Sequence, residues 1–368
     1  MTGPKTWWLN GVLLLGAILV AAGMSEAGIR LFYPQPLGVW HHDRNGLALH
    51  WPGLATYLPQ FGQSVSFNSE GMRDREHAVP KPADVFRILV LGDSFMEALQ
   101  LPFEASFPSL LERAFEGRPG KRVEVVNASV SGWGTDDELQ YLTTYGMRWK
   151  PDLIVVAVTL HNDISDNLRQ RFHTVHGMAL VQRPRTRATF LDYTLLQLKG
   201  FLASHSHTYQ LVRRAQRASE MRGEARHLGS HVAQLFRVDT SEEIAKGVSL
   251  TSLLLERMKT TAAAGGGRVA VVLLPLGSQI SDAKFTELAR AEREAPPTWQ
   301  LDKPQRLVTH AADQGGIPVI DLLAAFREWT AAGGGALYLE RDGHWNAQGH
   351  RLAADIVSRD LVRRGLLL

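Results

Sequence analysis

Cysteine is absent from all 368 residues. That excludes disulfides, thiolate metal ligands and a cysteine nucleophile, and it leaves the redox compartment open. Charge of one sign is also lacking. Forty basic side chains stand against 37 acidic ones, a formal net charge of +3. No basic field of the kind that grips nucleic acid is present, and aromatics are not interleaved with basic residues as on a base-stacking surface. There is no internal repeat and no long low-complexity tract. Only one long apolar run occurs, which excludes a multi-span membrane protein. What remains is an ordinary globular composition, 45% apolar and 21% charged, long enough to bury a sizeable core.

The apolar run is N-terminal. Lys5 precedes it, and residues 7–24 hold Asn10 as their strongly polar member. That length is near the lower end for a spanning helix. An uncleaved signal anchor fits better than a cleaved signal peptide, because the apolar core is long and Ala21-Ala22-Gly23 makes a blurred cleavage site. A buried helix is the third reading. Large domains after such a segment translocate largely regardless of charge. The expectation is therefore an anchored chain with its domain extracytoplasmic, in the periplasm or at the cell surface. Residues 1–30 form the anchor or signal segment. Residues 31–85, broken by Pro34, Pro36, Pro52, Pro59, Pro80 and Pro82, read as an irregular stalk or lid.

From residue 86 the pattern changes. Five nearly continuous apolar runs, at residues 87–91, 123–126, 153–158, 269–274 and 317–320, read as strands buried on both faces of a parallel sheet. Helical patterns separate them. Thr135 to Glu138 and Thr240 to Glu243 read as capping boxes, and a last helix follows Asn346. The alternation predicts an α/β domain over 86–368, three-layered and flavodoxin-like, with about five parallel strands and an Arg- and His-rich insertion at about 166–238.

Open α/β sheets bind ligands beyond the carboxyl ends of their strands, so residues after each strand carry the chemistry. Gly92-Asp93-Ser94 follows the first run, where an exposed nucleophile belongs. Asn127-Ala128-Ser129-Val130-Ser131-Gly132 follows the second, and Gly132 can offer an unshielded backbone N–H to an oxyanion. His161-Asn162-Asp163 follows the third, with an amide able to donate to the same oxyanion. Asp342-Gly343-His344-Trp345-Asn346 precedes the last helix, where a histidine can take the serine proton and a carboxylate can orient it. Read singly, each block is also a helix cap, a flexible turn (the Gly132 block) or an Asx turn.

Together the four blocks resemble those of the SGNH hydrolases, the GDSL esterase/lipase superfamily, over residues 86–364. The resemblance implies Ser94 as nucleophile, His344 as general base, and an oxyanion hole made by the N–H groups of Ser94 and Gly132 with the Asn162 amide. Two positions depart from the family pattern. Leu160 stands where the third block has glycine, and Arg341 stands where the last block usually has its acid, so Asp342 is the expected orienting acid and Glu340 the spare. The Asp-x-His-Trp form looks like that of enzymes that O-acetylate alginate and other exopolysaccharides. The segment Asn68-Ser69-Glu70-Gly71-Met72-Arg73 looks like one found upstream in membrane-anchored bacterial members; a structural turn is the expected role.

The implied activity is hydrolysis of a small acyl ester, acetyl above all, on a cell-surface carbohydrate through an acyl-enzyme on Ser94. Acyl transfer to an exopolysaccharide, with a membrane-bound acyl donor as partner, uses the same residues. A membrane-tethered, non-catalytic glycan-binding scaffold is the third possibility. The mechanism needs no metal or organic cofactor. Trp133 and Trp345, next to two of the blocks, are candidate stacking surfaces for a sugar ring. His173, His176, His205 and His207 lack a carboxylate pattern and give only a weak metal signal. Arg183, Arg185, Arg187, Arg213, Arg214, Arg217, Arg222 and Arg226 read as a solvated face, or as a site for anionic polysaccharide or lipid headgroups.

Overall fold

The computed structural model describes residues 4–160, 162–177, 179–183, 190–291 and 298–367. Its centre is a sheet of five parallel strands, β5 (Val85–Gly92), β6 (Arg122–Ser129), β7 (Leu153–Thr159), β10 (Arg268–Leu274) and β11 (Val319–Asp321), in the order β11-β10-β7-β5-β6. Successive side chains of a strand point to opposite faces, and each face is covered. Leu89 and Leu91 of β5 pack on one side with α4 (Thr135–Thr144), α8 (Glu242–Ala264) and α10 (Lys303–Gln314). Ile88 and Val90 pack on the other with α3 (Phe107–Arg113), α11 (Leu323–Ala331) and α12 (Ala347–Arg363). This two-sided burial is why the strands read as unbroken apolar runs.

Two local expectations shift. The last strand begins at Val319, because the Ile317 N–H closes the end of α10 on the Ala312 carbonyl at 3.0 Å and Pro318 has no N–H to give. Helix α4 opens on Gly134, whose N–H bonds Asp137 Oδ2 at 3.3 Å, so Asp137 is the capping acid and Glu138 is free to point inward. Helix α8 opens within the expected stretch, with Ser241 rather than Thr240 as its cap; the Ser241 hydroxyl accepts the Ile244 N–H.

The N-terminal helix α1 (Pro4–Phe32) includes a 26-residue apolar stretch, Trp7–Phe32, long enough to cross a membrane, and its most apolar window is 0% buried. It fits a membrane anchor or a signal sequence. Residues 33–84 are not free of the domain. They form two antiparallel hairpins, β1 (Trp40–His42) with β2 (Ala48–His50) and β3 (Ala55–Leu58) with β4 (Gln63–Ser66), and bury Leu47, Phe67, Met72 and Arg73. After β7 come a short helix α5 (Asp163–Asn167), a hairpin of β8 (His173–His176) and β9 (Ala179–Gln182), and two helices, α6 (Phe190–His205) and α7 (His207–Phe236). Arg185, Arg187 and the side chains of Arg217, Arg222 and Arg226 lie outside the described residues. Arg183 and Arg214 are exposed, and Arg213 lies over the Tyr209 ring.

Candidate active site

Ser94 is the first residue of a four-residue helix, α2 (Ser94–Glu97), at the carboxyl end of β5. Asp93 caps it by accepting the Phe95 N–H at 2.9 Å. A Cβ on Gly92 would lie 2.6 Å from Met96 Cγ, so only glycine lets the helix fold back this tightly on the strand. Ser94 is left partly exposed at the rim of the sheet.

His344 comes from the loop before α12. Asn346 fixes that loop by accepting the N–H groups of Gln348 and Gly349 at 2.9 and 3.0 Å and by donating its own N–H to Leu337 O at 2.9 Å. His344 Nε2 lies 2.7 Å from Ser94 Oγ, and Nδ1 is hydrogen-bonded to Asp342 Oδ1. Asp342 also accepts the His344 N–H at 3.2 Å, and Gln100 Nε2 lies 3.4 Å from its other oxygen. The Phe95 ring packs against the imidazole, centroids 4.8 Å apart. With Nδ1–H donated to Asp342, the Nε2 lone pair faces the hydroxyl, the state a general base requires. Glu340 is exposed, and among the described residues it is Asp342 that is paired with the His344 ring.

Gly132 has φ +81°, a left-handed conformation that favours glycine, and its surroundings are open. Among the described residues, no hydrogen bond takes up its N–H or that of Ser94. Asn162 is not brought to Ser94 by direct contact. Its Nδ2 donates to Asp93 Oδ2 at 3.2 Å, one residue from the serine. His161 lies outside the described residues.

A carboxylate that sequence reasoning missed ties these parts together. Glu97, the last residue of α2, is 0% exposed. Its Oε2 accepts the Ser131 N–H at 2.9 Å and the Ser131 hydroxyl. Its Oε1 lies 2.5 Å from His50 Nε2 and 3.3 Å from Trp40 Nε1. One side chain thus pegs the loop bearing Gly132 to the helix bearing Ser94. His50 is held in turn, its Nδ1 2.9 Å from Gly71 O.

The Asn68–Arg73 segment also finds its role here. Asn68 Oδ1 accepts the N–H groups of Glu70 and Met72 at 3.0 and 2.8 Å, which makes the expected turn. The turn aims the buried Arg73 guanidinium at the carbonyls of Glu97, at 2.7 Å, Ala98 and Leu101. Ala98 is left-handed at φ +52°, a conformation that costs an alanine about 1–2 kcal/mol. Burial lowers the Arg73 pKa to about 10, which leaves it charged at neutral pH. The sequence signs of this network are the Asn68–Arg73 segment and an acid three residues after Ser94, inside an otherwise apolar stretch.

Beneath the site lie two more buried acids. Desolvation first, then the charges of neighbouring carboxylates, raises the pKa of Glu138 and Asp163 well above the usual range. Among the described residues, neither Glu138 oxygen has a hydrogen-bond partner.

The expected sugar-stacking role of the tryptophans is corrected by their burial. Trp133 and Trp345 are each 1% exposed. Trp133 donates its indole N–H to Ala48 O at 2.9 Å and packs on Tyr141. Trp345 is wedged against Phe95, Phe326 and His350. Neither presents a ring face to a ligand. Two histidines of the insertion are in structural pairs: His173 Nδ1 lies 2.6 Å from Asp136, and His207 Nδ1 accepts the Gln35 N–H at 2.8 Å. Beside the serine–histidine pair, a cleft of about 560 Å³ is lined by Phe95, Gly343, Leu276, Tyr338 and the glycines 334 and 335.

A serine at a strand-to-helix turn is hydrogen-bonded to a histidine that precedes the last helix of a fold built on a five-stranded parallel sheet, the arrangement that the resemblance to the SGNH hydrolases implies. Residues 235–367 match a family model described as the SGNH hydrolase-like domain of the acetyltransferase AlgX. An "Arylesterase" of Vibrio mimicus is 40% identical over 72 residues, which is 20% of this chain and 36% of that protein, so the match spans about a third of that relative. The crystal structure of TesA aligns with 76% of this chain and 99% of its own at 17% identity and a TM-score of 0.39. That of the acetyl xylan esterase AlAXEase aligns with 75% of this chain and 100% of its own at 13% identity and a TM-score of 0.42.

Proposed function

We propose that this protein is a serine esterase that cleaves a small acyl ester, acetyl above all, on a carbohydrate. The observation that carries the reading is the relay from Ser94 Oγ to His344 Nε2, at 2.7 Å, and from Nδ1 to Asp342. Ser94 attacks the acyl carbonyl while His344 takes its proton. The free N–H groups of Ser94 and Gly132, with the Asn162 amide, stabilise the tetrahedral oxyanion. Collapse returns the proton through His344 to the departing sugar hydroxyl and leaves an acyl-serine, which water then hydrolyses by the same steps in reverse order.

A second reading is favoured by the family match, which includes Asp342 and His344 and is described as an acetyltransferase domain. A polysaccharide hydroxyl would then replace water as acceptor, and a membrane-bound partner would supply the acyl group. Helix α1 supports a chain held at a membrane; the extracytoplasmic side is proposed for its domain because a large domain after such a segment translocates largely regardless of charge.

The test is the reaction with p-nitrophenyl acetate and with a fluorophosphonate probe, Ser94→Ala alongside. Turnover and labelling lost in the variant support the esterase. A single burst of p-nitrophenol without turnover favours the transferase. An unlabelled wild-type protein refutes both and favours the binding scaffold.

A further inference from the structure

Polar and small groups of helix α6 hold it to the domain, and its opposite side carries a row of exposed apolar side chains with Thr194 among them. Its inner face holds the domain: Ala203 O accepts the Gly38 N–H at 2.8 Å, Ser204 Oγ accepts from the Trp51 indole at 2.7 Å, and Gln197 donates to His42 O at 2.5 Å. Its outer face carries Leu191, Leu195, Leu198 and Phe201, which are 64%, 46%, 50% and 50% exposed. Their spacing of four, three and three places them along one side of the helix. A helix on a soluble surface shows the reverse arrangement, and a contiguous exposed apolar stripe marks an interaction face.

The position of the stripe identifies what covers it. The end of α1 is built into the α6–α7 junction. Glu26 accepts the N–H groups of His207 and Thr208 and the Ser206 hydroxyl, each at 2.9 Å, and Arg30 donates to His205 O at 2.9 Å. A cleft of about 540 Å³ there is lined by Ala22 and Gly23 of α1 together with Phe201 of α6 and Val212 of α7. Ala22 and Gly23 belong to the uncovered apolar stretch of α1. The outer face of α6 therefore runs directly into the surface of a helix apolar enough to cross a bilayer. Lys199, exposed beside the stripe, has a stem long enough to lie along lipid with its ammonium among the headgroups.

We propose that the outer face of α6, with Val212, lies in the interface of the lipid bilayer at the end of α1 and seats the catalytic domain against the membrane surface. The proposal rests on α1 lying in a bilayer and is independent of the catalytic reading.

The absence of cysteine makes a direct test simple. Leu198→Cys and, independently, Leu195→Cys are labelled with bimane in the full chain and reconstituted into phosphatidylcholine–phosphatidylglycerol vesicles. Nitroxide-bearing lipids and aqueous iodide serve as quenchers. Val20→Cys in α1 reports whether that helix is in lipid. Lys121→Cys, exposed at the opposite end of the sheet from Ser94, reports a solvated surface. The expected result is lipid quenching at both α6 positions at least twofold above that at Lys121, together with shielding from iodide. Quenching by iodide with none by lipid overturns the proposal. Shielding from both quenchers overturns it as well, because a second copy or another protein then covers the face. A Val20 label untouched by lipid removes its foundation.

Discussion

Glu97 offers the sharpest test of how the site is held. Alanine at this position removes both carboxylate oxygens and leaves the Ser131 N–H, the Ser131 hydroxyl, the Trp40 indole and His50 around a dry void. Removing one partner from such a buried network costs about 3–5 kcal/mol. For a domain of this size each kcal/mol lowers Tm by about 2–4 °C, so the midpoint should fall by roughly 6–20 °C. Activity should fall separately. The Ser131–Gly132 loop loses its tie to α2, and one displaced oxyanion donor is worth on the order of 10²–10³ in kcat. The loss should appear in kcat with KM nearly unchanged, since the donor acts on charge that develops in the transition state. Glu97→Gln separates the two effects. The amide keeps an oxygen for Ser131 and offers an N–H₂ to His50, so only the Trp40 indole loses its acceptor. We expect a cost of about 1 kcal/mol and kcat within about tenfold of the parent. Thermal unfolding and p-nitrophenyl acetate kinetics, run well below both midpoints, check this. An alanine variant that melts within about 2 °C of the parent, the resolution of a change below 1 kcal/mol, or that keeps full kcat, refutes the argument.

Other outcomes follow from the same geometry. Asp342→Asn should lower kcat by about 10²–10⁴-fold while fluorophosphonate still labels slowly, because the imidazole loses its tautomer but not its place; unchanged kcat would point to a Ser–His dyad. Gly132→Ala meets no neighbour, yet its left-handed backbone should cost about 1–2 kcal/mol, read as a lower urea midpoint with loss of kcat. His350, whose Nδ1 accepts the Phe107 N–H at 3.1 Å, has its pKa lowered by burial to about 3. The unfolded chain takes up a proton near pH 6.5 that the folded chain refuses, so stability drops as pH falls from about 6.5 towards 3, by on the order of a few kcal/mol at pH 4.5. His350→Gln should flatten that limb of the stability–pH curve by close to one proton, and an unchanged slope would show that the burial effect is wrongly assigned.

The core of the fold is legible because each strand is buried on both faces, so apolar residues dominate it and polar ones such as Arg87 and Glu124 are few. The run at 153–158 became β7 almost residue for residue. The blocks holding Ser94, Gly132 and His344 are legible because each sits where a strand ends or a helix begins. What escapes is long-range polar support. Nothing local marks His50 or Arg73 as partners of residues 24–47 positions away, since a buried ion pair leaves no periodicity. The prolines of residues 31–85 do break strand and helix patterns, but hairpins tolerate them, so that stretch reads as irregular and folds as two hairpins against the domain. The tryptophans mislead for another reason: an indole beside a catalytic block and an indole packed behind it have the same sequence. The outer stripe of α6 is a true helical periodicity whose direction only the fold reveals.

Helix α2 has four residues, too few to hold its own shape in water. Its far end is gripped by a guanidinium whose buried residue closes a turn, exposed at Ser69 and Glu70, more than twenty positions upstream. The nucleophile's geometry is therefore borrowed from a part of the chain outside the Ser94–His344–Asp342 relay. An antibody, a small molecule or a proteolytic cut at the Asn68–Arg73 turn would work as a remote throttle, slowing acylation of Ser94 while leaving the cleft, the histidine and the acid as they were.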